Sequence, residues 1–257
     1  MTKTVAIANR KGGVGKTATA HALGAGLKRK GYRVLFIDLD SQCNLTDALG
    51  VESGSVEASS LDVLEGSLEA SETILQTEGG DLLPATPQLA TADKVIDGVG
   101  KEYRLRDALQ PIARRYDYII IDTPPALGVL TINALTASNK VVIPAQADLY
   151  SLTGIEQLYG TIGAVQHFTN KKLKIDGILI TRYAGRSIIS KDMKGNLEEV
   201  AQIIDTKVYS TPIRECIAIR EAQATHTDIY SYSKKSNASK DYEAFIEEFL
   251  GGNYERP

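Results

Sequence analysis

The sequence predicts a single α/β domain, a doubly wound and mostly parallel sheet with helices on both faces. Three observations carry this. Short apolar runs, many ending in a turn or an acid (Thr4 to Ala8, Arg33 to Ile37, Tyr118 to Ile121, Lys140 to Pro144, Ile175 to Thr181), alternate with longer stretches of helical period. The first run, helix and second run have the length of a crossover that joins parallel strands. No linker or break in composition divides residues 1–257, so one domain is expected throughout. The chain is 43% hydrophobic and 24% charged, ordinary for a globular protein with a sizeable core.

The elements follow in order. Thr4 to Ala8 reads as a buried strand. Beyond Gly15, Ala20, Leu23 and Leu27 recur at helical spacing, and Lys28-Arg29-Lys30 with Gly31 ends the helix. Cations there complement the helix dipole, so this triplet reads as structural rather than as a DNA patch. Arg33 to Ile37 is the second strand and leads into Asp38-Leu39-Asp40. Residues 50–80 are rich in Ser, Glu and Gly and predict short helices and loops. Asp81 to Pro87 predicts a short strand turning out of the sheet. Residues 88–115 predict helix, with Arg104, Arg106, Arg114 and Arg115 solvated. Tyr118 to Asp122 is a strand that Pro124 and Pro125 stop. Helix over Thr131 to Ala137, strand over Lys140 to Pro144, and helix to about Phe168 come next. Strand over Ile175 to Thr181, helix around Asp192 to Ile204 and a short strand at Lys207 to Tyr209 complete the alternation.

The chemistry gathers where strands end. In Arg10-Lys11-Gly12-Gly13-Val14-Gly15-Lys16-Thr17, three glycines in four positions permit a turn whose N–H groups cradle phosphate. The following helix adds its positive N-terminal end. Lys16 is placed to reach the β- and γ-phosphates, and the Thr17 hydroxyl to bind Mg²⁺. The usual pattern has a glycine where Arg10 stands; here a second lysine, Lys11, fronts the loop. The apolar run closing on Asp122 is a Walker B pattern, whose carboxylate holds Mg²⁺ through water. Asp38 and Asp40 sit at the carboxyl end of a parallel strand, where open α/β sheets bind ligands. For Asp38, a ligand role and a turn or cap role both fit.

With Lys11 to Thr17 reading KGGVGKT, the chain resembles the ParA/MinD family of deviant Walker A ATPases. Asp38 to Asn44, Leu82 to Pro87, Asp122 to Pro125 and Pro144 to Gly154 are similar to further family segments, and the likeness runs from about residue 4 to about 230. Ser41 replaces the family's usual proline, and Cys43 its usual glycine. The resemblance implies a P-loop NTPase fold and ATP bound by Lys11, Gly12, Gly13, Val14, Gly15, Lys16, Thr17 and Ala18. It implies Mg²⁺ facing Thr17, Asp40 and Asp122, and catalysis by Lys11, Lys16 and Asp40. Lys11 would reach the partner's phosphates in an ATP-sandwich homodimer, Asp40 would position the attacking water, and Thr123 to Pro125 would act as a nucleotide switch.

Family members differ in what the ATP dimer holds: nonspecific DNA, membrane, or an iron–sulfur cluster. A membrane-binding last helix needs a basic polar face, but Glu243, Glu247 and Glu248 oppose Tyr242, Phe245, Ile246, Phe249 and Leu250. Cys43 and Cys216 match no metal spacing and suit a reducing cytoplasm. No apolar stretch approaches membrane-spanning length, and no signal-peptide layout opens the chain. The net charge of −3 leaves room for a local basic patch. Residues 182–240 are mildly basic, and Arg186, Arg214 and Arg220 are the expected DNA contacts, although the segment from Thr211 to Gln223 departs from the family's loop. The expectation is a cytoplasmic partition ATPase, nucleoid-associated when ATP-bound, working with a ParB-like partner. The alternatives are a non-turnover ATP-switched regulator on DNA, a MinD-like positioning ATPase, and a metabolic enzyme on the same fold.

Overall fold

The computed structural model describes residues 2–185 and 188–251. It opens with β1 (Lys3–Ile7), α1 (Lys16–Arg29) and β2 (Val34–Asp38). Next come α2 (Asn44–Ala48), α3 (Ser60–Glu65), α4 (Ala70–Thr73), the hairpin of β3 (Leu75–Thr77) and β4 (Gly80–Leu83), α5 (Ala92–Val95) and α6 (Arg104–Leu109). Then β5 (Tyr118–Asp122), α7 (Val129–Ala137), β6 (Lys140–Gln146), α8 (Leu149–Phe168), β7 (Lys174–Thr181) and α9 (Ile188–Ile203) alternate. Three helices follow: α10 (Ile217–Ala224), α11 (Ile229–Tyr232) and α12 (Asn237–Phe249).

The seven strands form one sheet in the order β3-β4-β2-β5-β1-β6-β7. Every neighbouring pair is parallel except β3 with β4. From β1 the chain crosses to β2 on one side, and from β5 it crosses to β6 on the other. The switch point therefore lies at the carboxyl ends of β1, β2 and β5, where such sheets open a ligand crevice.

Alternation explains why these runs read as continuous apolar sequence: both faces are covered. Ala6, Ile37, Ile119, Ile121, Val141 and Ile143 join the core under α7, α8 and α9. Val5, Ile7, Phe36, Ile120 and Val142 join the core under α1, α10 and α12. The second contact is close: a Cβ on Gly24 would lie 2.1 Å from the Phe36 ring.

The predicted doubly wound, mostly parallel sheet with helices on both faces is observed, with three local corrections. Gly80–Leu83 does not turn out of the sheet but pairs parallel with β2, because Leu82 and Leu83 are both fully buried, one in each core layer. Residues 88–115 are not one helix. Gly98 and Gly100 take φ of 83° and 80°, which breaks the segment into α5, α6 and short 3₁₀ turns. Lys207 to Tyr209 makes a single bridge, Val208 to Ile178, rather than a strand.

The ion pairs explain the charges on the first and last helices. Lys28 donates to the Glu78 carbonyl, Arg29 stacks 5.2 Å from the Tyr230 ring centroid, and Lys30 pairs with Glu247. On α12, Asp241 pairs with Arg214 and Glu248 with Lys207, while Tyr242, Phe245, Ile246 and Phe249 are buried. This helix is packed on its own domain. Among the described residues, no helix is long and apolar enough to cross a membrane.

Candidate nucleotide-binding site

The glycine loop leaves the carboxyl end of β1. Gly13 and Gly15 take φ of 73° and 84°, a region that side chains resist. Gly15 is the N-cap of α1 and supplies no side-chain cap. The first N–H groups of α1 are therefore available to an anion, which suits the assignment of Lys16, Thr17 and Ala18. Four side-chain bonds brace the loop from outside. Asn9 donates from Nδ2 to the Pro144 carbonyl at 2.7 Å and accepts from the Lys11 N–H at 3.0 Å. Gln146 Nε2 donates to the Gly13 carbonyl at 3.1 Å, and Thr181 Oγ1 donates to the Val14 carbonyl at 2.7 Å. The ends of β6 and β7 thus fix the loop's path before any ligand arrives.

Three carboxylates meet beside it. Asp38 and Asp122 are register partners at the ends of β2 and β5. The Asp38 carboxylate accepts from the Asp40 N–H (3.0 Å), the Thr46 N–H (2.9 Å) and Thr46 Oγ1 (2.8 Å). Burial raises its pKa to about 6 against those bonds. Of its two readings, the turn holds: Asp38 shapes the loop that carries Asp40. Asp40 accepts from the Gln42 N–H at 3.1 Å and borders the cavity.

Cys43 lies in this loop at φ 55°, the left-handed conformation natural to the glycine it replaces. Burial pushes its thiol up to about 12, so it stays protonated and is a poor nucleophile or metal ligand. Among the described residues, no group of three or more His, Cys, Asp or Glu could hold a metal on its own.

Asp122 is the exception to the satisfied network. It is fully buried, and neither carboxylate oxygen has a hydrogen-bond partner among the described residues. Burial drives its pKa well up and Asp38 adds to this, while the approach of Thr17 and the charge of Lys16 act the other way. Lys16 is itself buried. Desolvation pulls its ammonium below the ordinary value, with Asp122 and Asp40 opposing, and its Nζ donates to the Lys11 carbonyl at 3.3 Å. A buried acceptor without a donor, next to a threonine hydroxyl and a phosphate cradle, fits Mg²⁺. Such an ion keeps several waters and takes further oxygens from phosphate, so the small protein set of Thr17, Asp122 and Asp40 is enough.

Gly12, Gly13, Lys16, Thr17 and Asp40 line one end of a cavity of about 700 Å³. Its other end reaches Thr181, Arg182, Ile213, Cys216, Ile219 and Arg220. Arg182, at φ 50°, pairs with Glu215 at 3.0 Å. Sequence reasoning reached this end only through Arg220, as a DNA contact, because it is assembled from the end of β7, the segment before α10 and α10 itself. Of the expected DNA contacts, Arg220 is exposed and borders this cavity. Arg214 has its guanidinium bound to both oxygens of Asp241, at 2.6 and 2.9 Å. Arg186 lies outside the described residues. Lys11 is paired with Asp148 of its own chain.

The glycine loop, its two lysines and the buried acids at the switch point define a P-loop nucleotide-binding protein. A family model described as an AAA domain matches residues 2–175. The sporulation initiation inhibitor protein Soj of Bacillus subtilis is 42% identical over 245 residues, covering 94% of this chain and 96% of that one. The chromosome partitioning protein ParA of Myxococcus xanthus is 37% identical, covering 96% and 88%. Among solved structures, cobyrinic acid a,c-diamide synthase from Mycobacterium smegmatis with bound ADP and magnesium superposes with a TM-score of 0.85 at 36% identity, covering 98% and 97%. The chain belongs to the ParA/Soj family of ParA/MinD-type P-loop ATPases.

Proposed function

We propose that the protein is a DNA-partition ATPase that dimerises around two ATP molecules, binds DNA nonspecifically and hydrolyses ATP slowly. The observation that carries this is the buried Lys16 facing Asp40 and the unpartnered Asp122 beside the glycine loop, in a chain alike over nearly its whole length to Soj and ParA proteins. Thr17, Asp40 and Asp122 would hold Mg²⁺, which would supply neutralisation of the phosphate charge. The loop N–H groups and Lys16 bind and orient the phosphates. Asp40 accepts a hydrogen bond from a water and holds it in line with the γ-phosphorus; the O–P bond forms as the bond to the β–γ bridging oxygen breaks, giving ADP and phosphate. Lys11 from the partner completes the charge around the phosphates. Nonspecific DNA binding holds the ATP form on the nucleoid, and a ParB-like partner accelerates turnover and releases the dimer from DNA.

The DNA face gains candidates from the fold. Arg220, Lys234, Lys235 and Lys240 are exposed and carry no ion pair among the described residues, whereas Arg214 is engaged with Asp241. Phosphate contacts need such uncommitted cations. Charge reversal at Arg220, Lys234 and Lys235 together is expected to reduce the salt slope of nonspecific DNA binding by about 2–3 per protomer and to leave dimerisation intact. An unchanged slope in a filter-binding titration places the DNA face elsewhere, with Arg186→Glu the next variant to examine.

A second reading, an ATP-dependent enzyme on a small molecule, draws on the name of the mycobacterial structure. ATP turnover and sedimentation, with and without nonspecific duplex DNA, separate the two. DNA binding only with ATP, with slow DNA-stimulated turnover, supports partition. Turnover that depends on a metabolite supports the enzyme, and DNA binding without turnover supports a switch.

A further inference from the structure

Lys11 is held within its own protomer by two acceptors. Its ammonium pairs with the Asp148 carboxylate and donates to Gln146 Oε1 at 3.0 Å. Both acceptors are themselves fixed. Asp148 caps α8, accepting from the Ser151 N–H at 3.0 Å and from Ser151 Oγ at 3.1 Å. Gln146 is tied through its amide nitrogen to the Gly13 carbonyl. The start of α8 packs against the same residue: a Cβ on Gly154 would lie 3.7 Å from Lys11 Cβ and 3.0 Å from Asn9 Oδ1. The latch therefore ties the front of the phosphate loop to the first turn of a long helix.

We propose that Asp148 is a positioning residue that latches Lys11 onto its own chain, and that opening this latch sets the concentration at which the ATP dimer forms. This rests on the reading of Lys11 as the contact made across the dimer. The Lys11 and Asp148 side chains are 23% and 35% exposed, so water screens the pair and the latch is weak enough to be exchanged. A partner's triphosphate, with several negative oxygens, outcompetes one carboxylate for a single ammonium. While latched, the lysine is neutralised and the front of the loop stays in place. Each dimer opens two latches, so the effect enters the dimer equilibrium twice.

Asp148→Asn is the test, because asparagine keeps the cap oxygen for α8 while removing the charge. A partly exposed ion pair biases an equilibrium by up to about five-fold. With two latches opened, the variant is expected to lower the dimer dissociation constant about five- to 25-fold in sedimentation with Mg²⁺ and ATPγS. Asp148→Glu keeps the charge and is expected to restore the wild-type value. Gln146→Ala removes the second acceptor, is expected to shift assembly the same way by a smaller factor, and provides the measurement if the first variant folds poorly. ADP binding to the monomer serves as the control for the two Asp148 variants and is expected to be unchanged in them. A dissociation constant within about two-fold of wild type, or a higher one, overturns the latch. If neither wild type nor variant dimerises with ATPγS, the cross-dimer role of Lys11 falls with it.

Discussion

Lys16→Ala is expected to abolish nucleotide binding. The side chain is buried and its ammonium is drawn down by desolvation, with only Asp122 and Asp40 opposing that cost. Two acids facing one lysine leave the pocket negative once the lysine is gone, and the phosphates would then meet Asp40 and Asp122 without a counter-charge. Removing one member of a buried charge cluster costs about 2–5 kcal/mol, or about 30- to 4,000-fold in affinity. Calorimetric titration with Mg–ADP and Mg–ATP measures this directly. Lys16 gives the loop only its long 3.3 Å bond to the Lys11 carbonyl, and Asn9, Gln146 and Thr181 brace it from outside, so the variant is expected to remain folded. Unaltered affinity in a folded variant would remove the phosphate-loop assignment.

Asp40→Ala is expected to separate binding from turnover. Asp40 is not one of the residues bracing the glycine loop, and the fold of its own loop rests on Asp38 and Thr46. Its loss therefore leaves the cradle standing. Losing a residue that positions the attacking water lowers turnover by about 10²- to 10⁴-fold. The variant is expected to accumulate as an ATP dimer that stays on nonspecific DNA, with its dissociation from DNA slowed in proportion. Single-turnover hydrolysis together with a DNA dissociation trace reads both effects. Wild-type hydrolysis in this variant would contradict the water-positioning role.

The site residues that the sequence made legible are those whose types the local backbone or chemistry demands. Gly13 and Gly15 stand where φ is positive, Lys16 and Thr17 open a helix, and Asp122 ends a run buried on both faces. Patterns of that kind lie within a few residues of one another. The braces were not legible, because Asn9 reaches Pro144 across 135 positions and Thr181 reaches Val14 across 167. A lone asparagine or threonine at such a distance has no local signature. The pairing of Arg214 with Asp241 was hidden for the same reason, and it changes which cations remain for DNA. The β3–β4 edge was misread because Leu82 and Leu83, followed by Pro84, look like the end of a run, whereas their burial in both core layers shows a full strand position. Cys43 lay at a recognised family position, but only its φ of 55° shows that the loop keeps a glycine-like turn without a glycine.

On this mechanism the second lysine, Lys11, makes the ATP-bound unit a dimer. Analytical ultracentrifugation of Lys11→Ala beside the unaltered chain, both with Mg²⁺ and ATPγS at saturating nucleotide, tests it most directly. The expected result is a dimer for the unaltered chain and a monomer with bound nucleotide for Lys11→Ala. A Lys11→Ala protein that binds nucleotide and dimerises at the same concentration as the unaltered chain would contradict it.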